Sequence, residues 1–285
     1  MQHLAVAPLG MTFLTSQTSS KQQLREFYGS RTTYDHEQGT RHPLEAKLLV
    51  EFVPLNSGQK ILDVATGTGL VAIPAAEKVG SDGYVIGIDM TPGMLHQARQ
   101  KIATAKLQNI ELIEADAEYF NFSDSSFDVV FCCEAIVLFP DILATLQKWY
   151  GYLKTGGYVA FTCPPETAYM ASLQQRICAR VLGESLPHIL EPLGTPEKCR
   201  NLLNQAGFRD IEIKIEPSGR YRQLRDSRLS GTVININFKG NPLLSKLSQE
   251  QLNQLQVEYK AEIEKLATDQ GLWEDTTKFF VRAQK

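Results

Sequence analysis

The sequence predicts an α/β fold: a doubly wound, mostly parallel seven-stranded sheet with helical lid insertions. Seven short apolar runs, each bounded by turn residues, recur along the 285-residue chain, and helical periodicities alternate with them. A glycine-bearing turn joins the first run to the helix that follows. Hydrophobic residues make up 43% and charged residues 21%, the balance of a globular chain with a sizeable core.

Residues 1–20 end in the polar, turn-prone run Thr15–Ser20, so a loose start is expected. A helical pattern begins at Lys21, and His42–Phe52 forms a second helix with Pro43 in its first turn. The first five strands are expected at Lys60–Ala65, Tyr84–Asp89, Ile110–Ala115, Phe127–Cys132 and Tyr158–Cys163. Thr91-Pro92 reads as a helix cap followed by proline at the first helical position. Ile142, Leu146, Trp149 and Leu153 fall at helical spacing, and Gly156-Gly157 stop that helix. Thr195-Pro196 opens another, which Gly207 closes before a strand at Phe208–Ile215; Lys278–Gln284 is the last strand.

Two segments stand outside this alternation, residues 164–194 and 216–277. The second is much longer than a hairpin needs. It holds a well-marked helix, with a capping box at Ser248-x-x-Gln251 and an apolar stripe through Leu252, Leu255, Tyr259, Ile263 and Leu266. Inserts on a doubly wound sheet usually overhang its C-terminal edge, where ligands bind. The division expected is an N-terminal arm or lid over 1–40 and one domain over 41–285, with substrate-cap inserts at 164–194 and 216–277.

A formal net charge of -3 gives no electrostatic reason to expect a nucleic-acid partner. The densest basic stretch, Arg220–Arg228, is interrupted by Asp226 and reads as a solvated loop. Cys132, Cys133, Cys163, Cys178 and Cys199 form no C-x-x-C pair and have no histidine at zinc-ligand spacing, so no metal site is expected. Free thiols imply a reducing, cytoplasmic setting. The apolar run Leu4–Leu14 lacks a preceding basic residue and is broken by Pro8 and Gly10. It is expected to be neither a signal peptide nor a membrane span.

The run Ile61–Ala72, ILDVATGTGLVA, follows a strand and opens a helix. Gly67 and Gly69 can take positive φ and let a ligand approach the backbone closely. Asp89 ends the second strand, placed to accept hydrogen bonds from both hydroxyls of a ribose. Gly67-x-Gly69-x-x-Ala72 also satisfies a relaxed dinucleotide fingerprint, so a nicotinamide-dependent oxidoreductase has to be weighed. Asp63 shifts the balance, because a carboxylate ahead of the glycines suits a cationic amino-acid ligand and repels a pyrophosphate. Asp116-Ala117 after the third strand, Phe127-Asp128 at the start of the fourth and Leu153–Gly157 ahead of the fifth complete an ordered set.

Over Tyr34–Ile215 that set resembles the class I, Rossmann-like S-adenosylmethionine-dependent methyltransferases. GIDMTPGMLHQAR (87–99) and LGTPEKCRNLLNQAGF (193–208) are similar to the family that includes the ubiquinone and menaquinone C-methyltransferases. Ala65 stands where the first glycine is common. The resemblance implies that S-adenosylmethionine is the cofactor and S-adenosylhomocysteine the product. Asp63 and the backbone from Ala65 through Gly67, Thr68 and Gly69 would hold the methionine moiety, Asp89 the ribose, and Met90 the adenine face. Asp116 would accept from the adenine amino group while the Ala117 amide donates to a ring nitrogen, and Cys133 would line the methyl end. Tyr28, Tyr34 and His36 lie in the segment that relatives fold over the cofactor, and Tyr34 is expected to touch cofactor or substrate.

His188 and Glu134 are the candidate bases. The expected function is methyl transfer to a small-molecule acceptor, by O-methylation of a natural product, with Tyr169, Met170, Phe238, Tyr259 and Trp273 furnishing an apolar acceptor pocket. C-methylation of a quinone or lipid precursor and N-methylation are alternatives, as is a non-catalytic cofactor-binding subunit. The oligomeric state is left open.

Overall fold

A strand can be apolar at every position only if both faces of its sheet are covered, and this governs the architecture. The computed structural model describes residues 20–37, 40–185, 187–223 and 247–285. Its strands are β1 (Lys60–Val64), β2 (Tyr84–Asp89), β3 (Ile110–Glu114), β4 (Phe127–Cys132), β5 (Leu153–Cys163), β6 (Arg209–Glu216), β7 (Gly219–Arg222), β8 (Leu272–Asp275) and β9 (Lys278–Gln284). The helices are α1 (Ser20–Gly29), α2 (His42–Phe52), α3 (Ala72–Val79), α4 (Pro92–Ala105), α5 (Ile142–Tyr152), α6 (Ala171–Leu182), α7 (Pro196–Ala206) and α8 (Gln249–Leu266).

The seven runs read from the sequence form one seven-stranded sheet in the order β3-β2-β1-β4-β5-β9-β6. β1 to β5 are parallel, and β9 runs antiparallel between β5 and β6. Period-two alternation sends Ile61, Val129, Phe131 and Phe280 to one face, where they pack on Leu49 and Val50 of α2 and Ala72, Ala75 and Val79 of α3. Leu62, Val130 and Val281 face the other way, against Leu146 and Trp149 of α5 and Leu203 of α7. Each such side chain, fully buried, contributes about 1.5–3 kcal/mol of transfer free energy.

The strand order reverses at β1, which has β2 on one side and β4 on the other. At such a switch point the loops leaving the two strands diverge and open a crevice at their C-terminal ends. The glycine turn leaves β1 at that crevice.

The helix caps follow the sequence. Thr195 Oγ1 accepts from Lys198 N at 3.2 Å, and Ser248 and Gln251 exchange reciprocal bonds. Leu153 differs: it opens β5 rather than closing α5, which ends at Tyr152, and Gly156 bends the strand at φ 81°. The inserts also hold elements that the sequence did not announce. Residues 164–194 contain α6, and residues 216–277 contain the antiparallel pair β7–β8 as well as α8. α6 and α8 share a small core of Leu173, Ile177, Cys178, Leu255, Tyr259 and Ile263. Both inserts leave the sheet at one edge, since Cys163, the end of β5, pairs with Phe279 near the start of β9. That edge is the C-terminal one of the parallel strands. No helix among the described residues is long and apolar enough to cross a membrane.

Candidate functional site

The glycine turn is held from two sides. Ala65, Gly67 and Gly69 all have left-handed φ (55°, 55° and 80°), which folds the chain back from β1 into α3. Asp89 Oδ2 accepts from Gly67 N at 2.9 Å and its Oδ1 from Thr91 N at 2.8 Å, so the end of β2 anchors the turn. Asp63 is 1% exposed and its Oδ2 accepts from Thr66 Oγ1 at 2.6 Å. A Cβ on Gly87 would lie 2.8 Å from that hydroxyl, so glycine there keeps Thr66 in place. Burial pushes the Asp63 carboxyl up to about 7, against the opposing pull of Thr66 and the Ala72 amide. Burial likewise raises Asp89, opposed by its bonds to Thr91 and Gly67.

Beyond β3, Asp116 Oδ1 accepts from Glu118 N at 3.0 Å. Its other oxygen pairs with Lys21 of α1, which also pairs with Glu118, and Arg25 pairs with Glu114 at 2.8 Å. α1 therefore lies across the end of β3.

At the opposite end, Glu134 leaves β4 with φ +60° and donates its amide to Thr162 Oγ1 at 2.8 Å. Its carboxylate accepts from the Thr162 hydroxyl at 2.7 Å and forms an ion pair with Lys278, the first residue of β9, which is 2% exposed. Burial alone would raise the Glu134 carboxyl, but Lys278, His42 and Thr162 outweigh it and hold it below the ordinary value. Glu134 is thus a mostly covered, paired carboxylate rather than the capping or solvated one its place in the sequence allows. His42, at the start of α2, stacks on Tyr34 with ring centroids 4.6 Å apart and planes at 4°. Its Nδ1 lies 3.6 Å from Glu45 Oε2.

One cavity joins these parts. Tyr34, Asp63, Ala65, Gly67, Thr68, Asp89, Met90, Asp116, Ala117, Cys133 and Glu134 all line it. Gly69 does not; its conformation, not its surface, serves the site. His188 does not line the cavity either. It is 3% exposed, its Nδ1 accepts from Leu190 N at 3.2 Å, and burial lowers it to about 4. A histidine turned onto its own loop in this way has no reach to a ligand in the crevice. Tyr169, Met170, Tyr259 and Trp273 are also absent from the lining, and Phe238 lies outside the described residues. Tyr259 belongs to the core between α6 and α8, and Trp273 is 52% exposed.

His42, Glu45, Thr162 and Lys278 are polar residues of this region that the sequence reading passed over. Glu134 and Lys278 are 144 positions apart, and no local spacing announces such a pair. One nitrogen of His42 and one oxygen each from Glu45 and Glu134 lie within 4.8 Å of one another, a grouping with metal-ligand chemistry. Lys278 already supplies a cation to it.

The lining fits the implied cofactor by the chemistry of its acceptors. Three carboxylates, Asp63, Asp89 and Asp116, follow one another along the cavity wall, matching the ammonium, ribose diol and adenine amino donors of S-adenosylmethionine.

Known methyltransferases resemble this chain in sequence and in fold. The sequence model of a family described as "Methyltransferase domain" matches residues 55–207. Aklanonic acid methyltransferase DauC of Streptomyces sp. (strain C5) is 33% identical over 211 residues, which is 73% of this chain and 94% of the relative. Demethylmenaquinone methyltransferase of Listeria monocytogenes serotype 4a is 36% identical over 114 residues, 40% of this chain and 48% of that protein. Among solved structures, a putative methyltransferase from Bacillus halodurans superposes with a TM-score of 0.58 at 22% identity, covering 85% of this chain and 99% of the other. Phosphoethanolamine N-methyltransferase 2 of Haemonchus contortus, solved with phosphomonomethylethanolamine and S-adenosylhomocysteine, gives 0.53 at 21% identity over 95% of this chain and 58% of its own. At these identities the structural likeness is one of fold.

Proposed function

Because this chain belongs to the S-adenosylmethionine-dependent methyltransferases, we propose that it O-methylates a small-molecule natural product in secondary-metabolite tailoring. The observation that carries the reading is the cavity lining, in which Tyr28, Tyr34, Leu138 and Phe139 are apolar or aromatic and His42, Cys133 and Glu134 are polar. Such a wall suits a hydrophobic acceptor that presents one protic atom. That the relative in Streptomyces is an aklanonic acid methyltransferase supports a natural-product acceptor.

In this reading the roles follow the cavity in order. Asp63 and the turn from Ala65 to Gly69 hold the methionine moiety, Asp89 holds the ribose, Met90 covers the adenine, and Asp116 with the Ala117 amide reads its edge. S-adenosylmethionine supplies a methyl group already activated on a sulfonium. The protein then has to align the acceptor, exclude water and take up a proton. The N-terminal arm, ending in the turn Tyr34–His36, acts as a lid, and the inserts at 164–194 and 216–277 cap the acceptor side. The five thiols, none in a disulfide, support a cytoplasmic setting.

A second reading is C-methylation of a quinone or lipid precursor, supported by the stretch shared with the demethylmenaquinone methyltransferase. Product analysis separates the two. Purified protein is incubated with methyl-deuterated S-adenosylmethionine and a panel of phenols, carboxylic acids, polyketides, quinols and amines, and products are read by mass spectrometry. A labelled methyl on oxygen is expected. Label found only on carbon or nitrogen rejects O-methylation.

A further inference from the structure

The loop that follows β3 brings Ala115, Asp116, Ala117 and Glu118 to the cavity lining. Its main-chain hydrogen bonds can be followed one by one. The Ala115 amide donates to Asp89 O at 3.1 Å. The Glu118 amide donates to Asp116 Oδ1 at 3.0 Å, and the amides of Tyr119 and Phe120 both reach Asp116 O, at 3.0 and 2.9 Å. Among the described residues, this leaves the amides of Asp116 and Ala117 as the loop donors without a protein partner. Asp116 Oδ2 meets Lys21 of α1, and an ionised carboxylate oxygen has a second lone pair for another donor. The loop thus offers the cavity an acceptor and a donor side by side.

Lys148 of α5 holds this loop by its main chain. Its Nζ donates to Ala117 O at 3.2 Å and to Glu118 O at 2.8 Å. Those carbonyls share their peptide units with the Glu118 and Tyr119 amides, which gives two relays. One runs from Lys148 to the Ala117 carbonyl and from the Glu118 amide to Asp116 Oδ1. The other runs from Lys148 to the Glu118 carbonyl and from the Tyr119 amide to Asp116 O. Each bond polarises the next, so the ammonium tightens the hold on Asp116. α5 is itself fixed, with Leu146 and Trp149 in the core. Tyr152, one turn beyond Lys148, donates to Phe120 O at 3.3 Å and secures the far end of the loop. Lys148 forms no salt bridge among the described residues, and burial lowers its pKa against the pull of Glu118 and Asp116. A lysine placed there in spite of that burial acts on the shape of the loop.

We propose that Lys148 is a positioning residue, holding Asp116 and Ala117 in the register that takes a 6-aminopurine and refuses a 6-oxopurine. This rests on the proposed function, in which Asp116 and the Ala117 amide read the adenine edge. A 6-oxopurine reverses both partners. Its O6 would face the Asp116 carboxylate and its N1–H the Ala117 N–H, so acceptor meets acceptor and donor meets donor. That penalty lasts only while the loop is held, because peptide planes free to turn carry both groups out of conflict. Loss of Lys148 therefore weakens the amino base and relieves the oxo base, two effects of opposite sign. A residue that merely stabilised the fold would shift both ligands together.

S-adenosylhomocysteine and its 6-oxo analogue, S-inosylhomocysteine, are titrated calorimetrically into the wild type, Lys148→Met, Lys148→Gln, Lys148→Arg and Asp116→Asn, with thermal melts confirming that each is folded. The wild type should bind the analogue at least about a hundredfold more weakly. In Lys148→Met that ratio should fall to about tenfold or less, with S-adenosylhomocysteine weakened about fivefold and the analogue not weakened. Lys148→Arg keeps the N–H donors and should hold the ratio within about twofold of wild type. Lys148→Gln, a shorter neutral donor, should lie between them, and it carries the test where Lys148→Met does not fold. An unchanged ratio in the folded Met or Gln variant overturns the positioning role. Asp116→Asn tests the premise separately, since its ratio should collapse with Lys148 in place. A wild type that binds S-adenosylhomocysteine without rejecting the analogue, or an Asp116→Asn that keeps the ratio, removes the base-reading role of Asp116 instead.

Discussion

Thr68 Oγ1 donates to Asp35 Oδ1 at 2.6 Å, joining the glycine turn to the 3₁₀ turn at Tyr34–His36. Lys101 of α4 holds the other Asp35 oxygen, also at 2.6 Å. One carboxylate thus ties the arm to the glycine turn and to α4. Asp35→Ala is expected to speed S-adenosylhomocysteine dissociation about five- to tenfold, the loss of roughly 1–1.4 kcal/mol of charge-assisted bonding. Stopped-flow fluorescence reads the rate, and an unchanged rate would mean that the arm is no lid.

Asp63 gives the site a pH dependence. Its carboxyl, raised by burial from 3.8 to about 7, keeps its proton in the fold when the unfolded chain has released it. Its contribution to stability is therefore largest below the ordinary value and is lost as pH rises to about 7. An ammonium ligand reverses the preference by stabilising the carboxylate. S-adenosylhomocysteine should bind more tightly as pH rises through about 7, with protons released to the buffer. Calorimetry in buffers of different ionisation enthalpy measures that release, and Asp63→Asn should abolish it. Equal proton release by the variant would assign the effect to another group.

Lys278 is buried, Glu134 keeps 13% of its side chain exposed, and each is satisfied chiefly by the other. Removing one partner leaves an uncompensated charge in the interior, so Lys278→Met should cost about 3–5 kcal/mol in chemical denaturation. Adding Glu134→Gln should restore a large part of that loss. Additive destabilisation in the double variant would show that the two charges do not depend on each other.

His188 predicts acid sensitivity. Its value falls from 6.5 to about 4 because burial disfavours the charged ring. The unfolded chain therefore binds a proton at a pH where the folded one does not, and stability declines as pH drops from 6.5 toward 4. His188→Gln should flatten the decline by up to about 3 kcal/mol in melts across that window. A parallel decline in wild type and variant would rule out His188 as its source.

The seven strands were legible because each is short, apolar and closed by turn residues, and because a sheet covered on both faces needs such runs. The cavity wall was legible for a related reason: Asp63, Asp89, Asp116 and Cys133 sit at or just past strand ends, and parallel strands bring those ends together. The end of the cavity around Glu134 was not. His42 reads as an ordinary first residue of a helix, and Lys278 as a polar start to an apolar strand. Their meeting at Glu134 is set by the sheet order β1-β4-β5-β9, which no spacing along the chain encodes. Both inserts leave the sheet at the C-terminal edge of the parallel strands, and Tyr259 turns inward to their own core. An apolar stripe alone does not say which neighbour will cover it.

Asp89 lines the cavity at the end of β2, where the proposed function makes it the acceptor for the ribose hydroxyls. Isothermal titration of wild type and Asp89→Ala with S-adenosylhomocysteine tests it most directly, with NADH as the competing ligand. The wild type should bind S-adenosylhomocysteine and not NADH, and the folded variant should bind at least about tenfold more weakly, on the order of 1.4 kcal/mol. Unchanged affinity in a folded Asp89→Ala, or binding of NADH alone by the wild type, would contradict it.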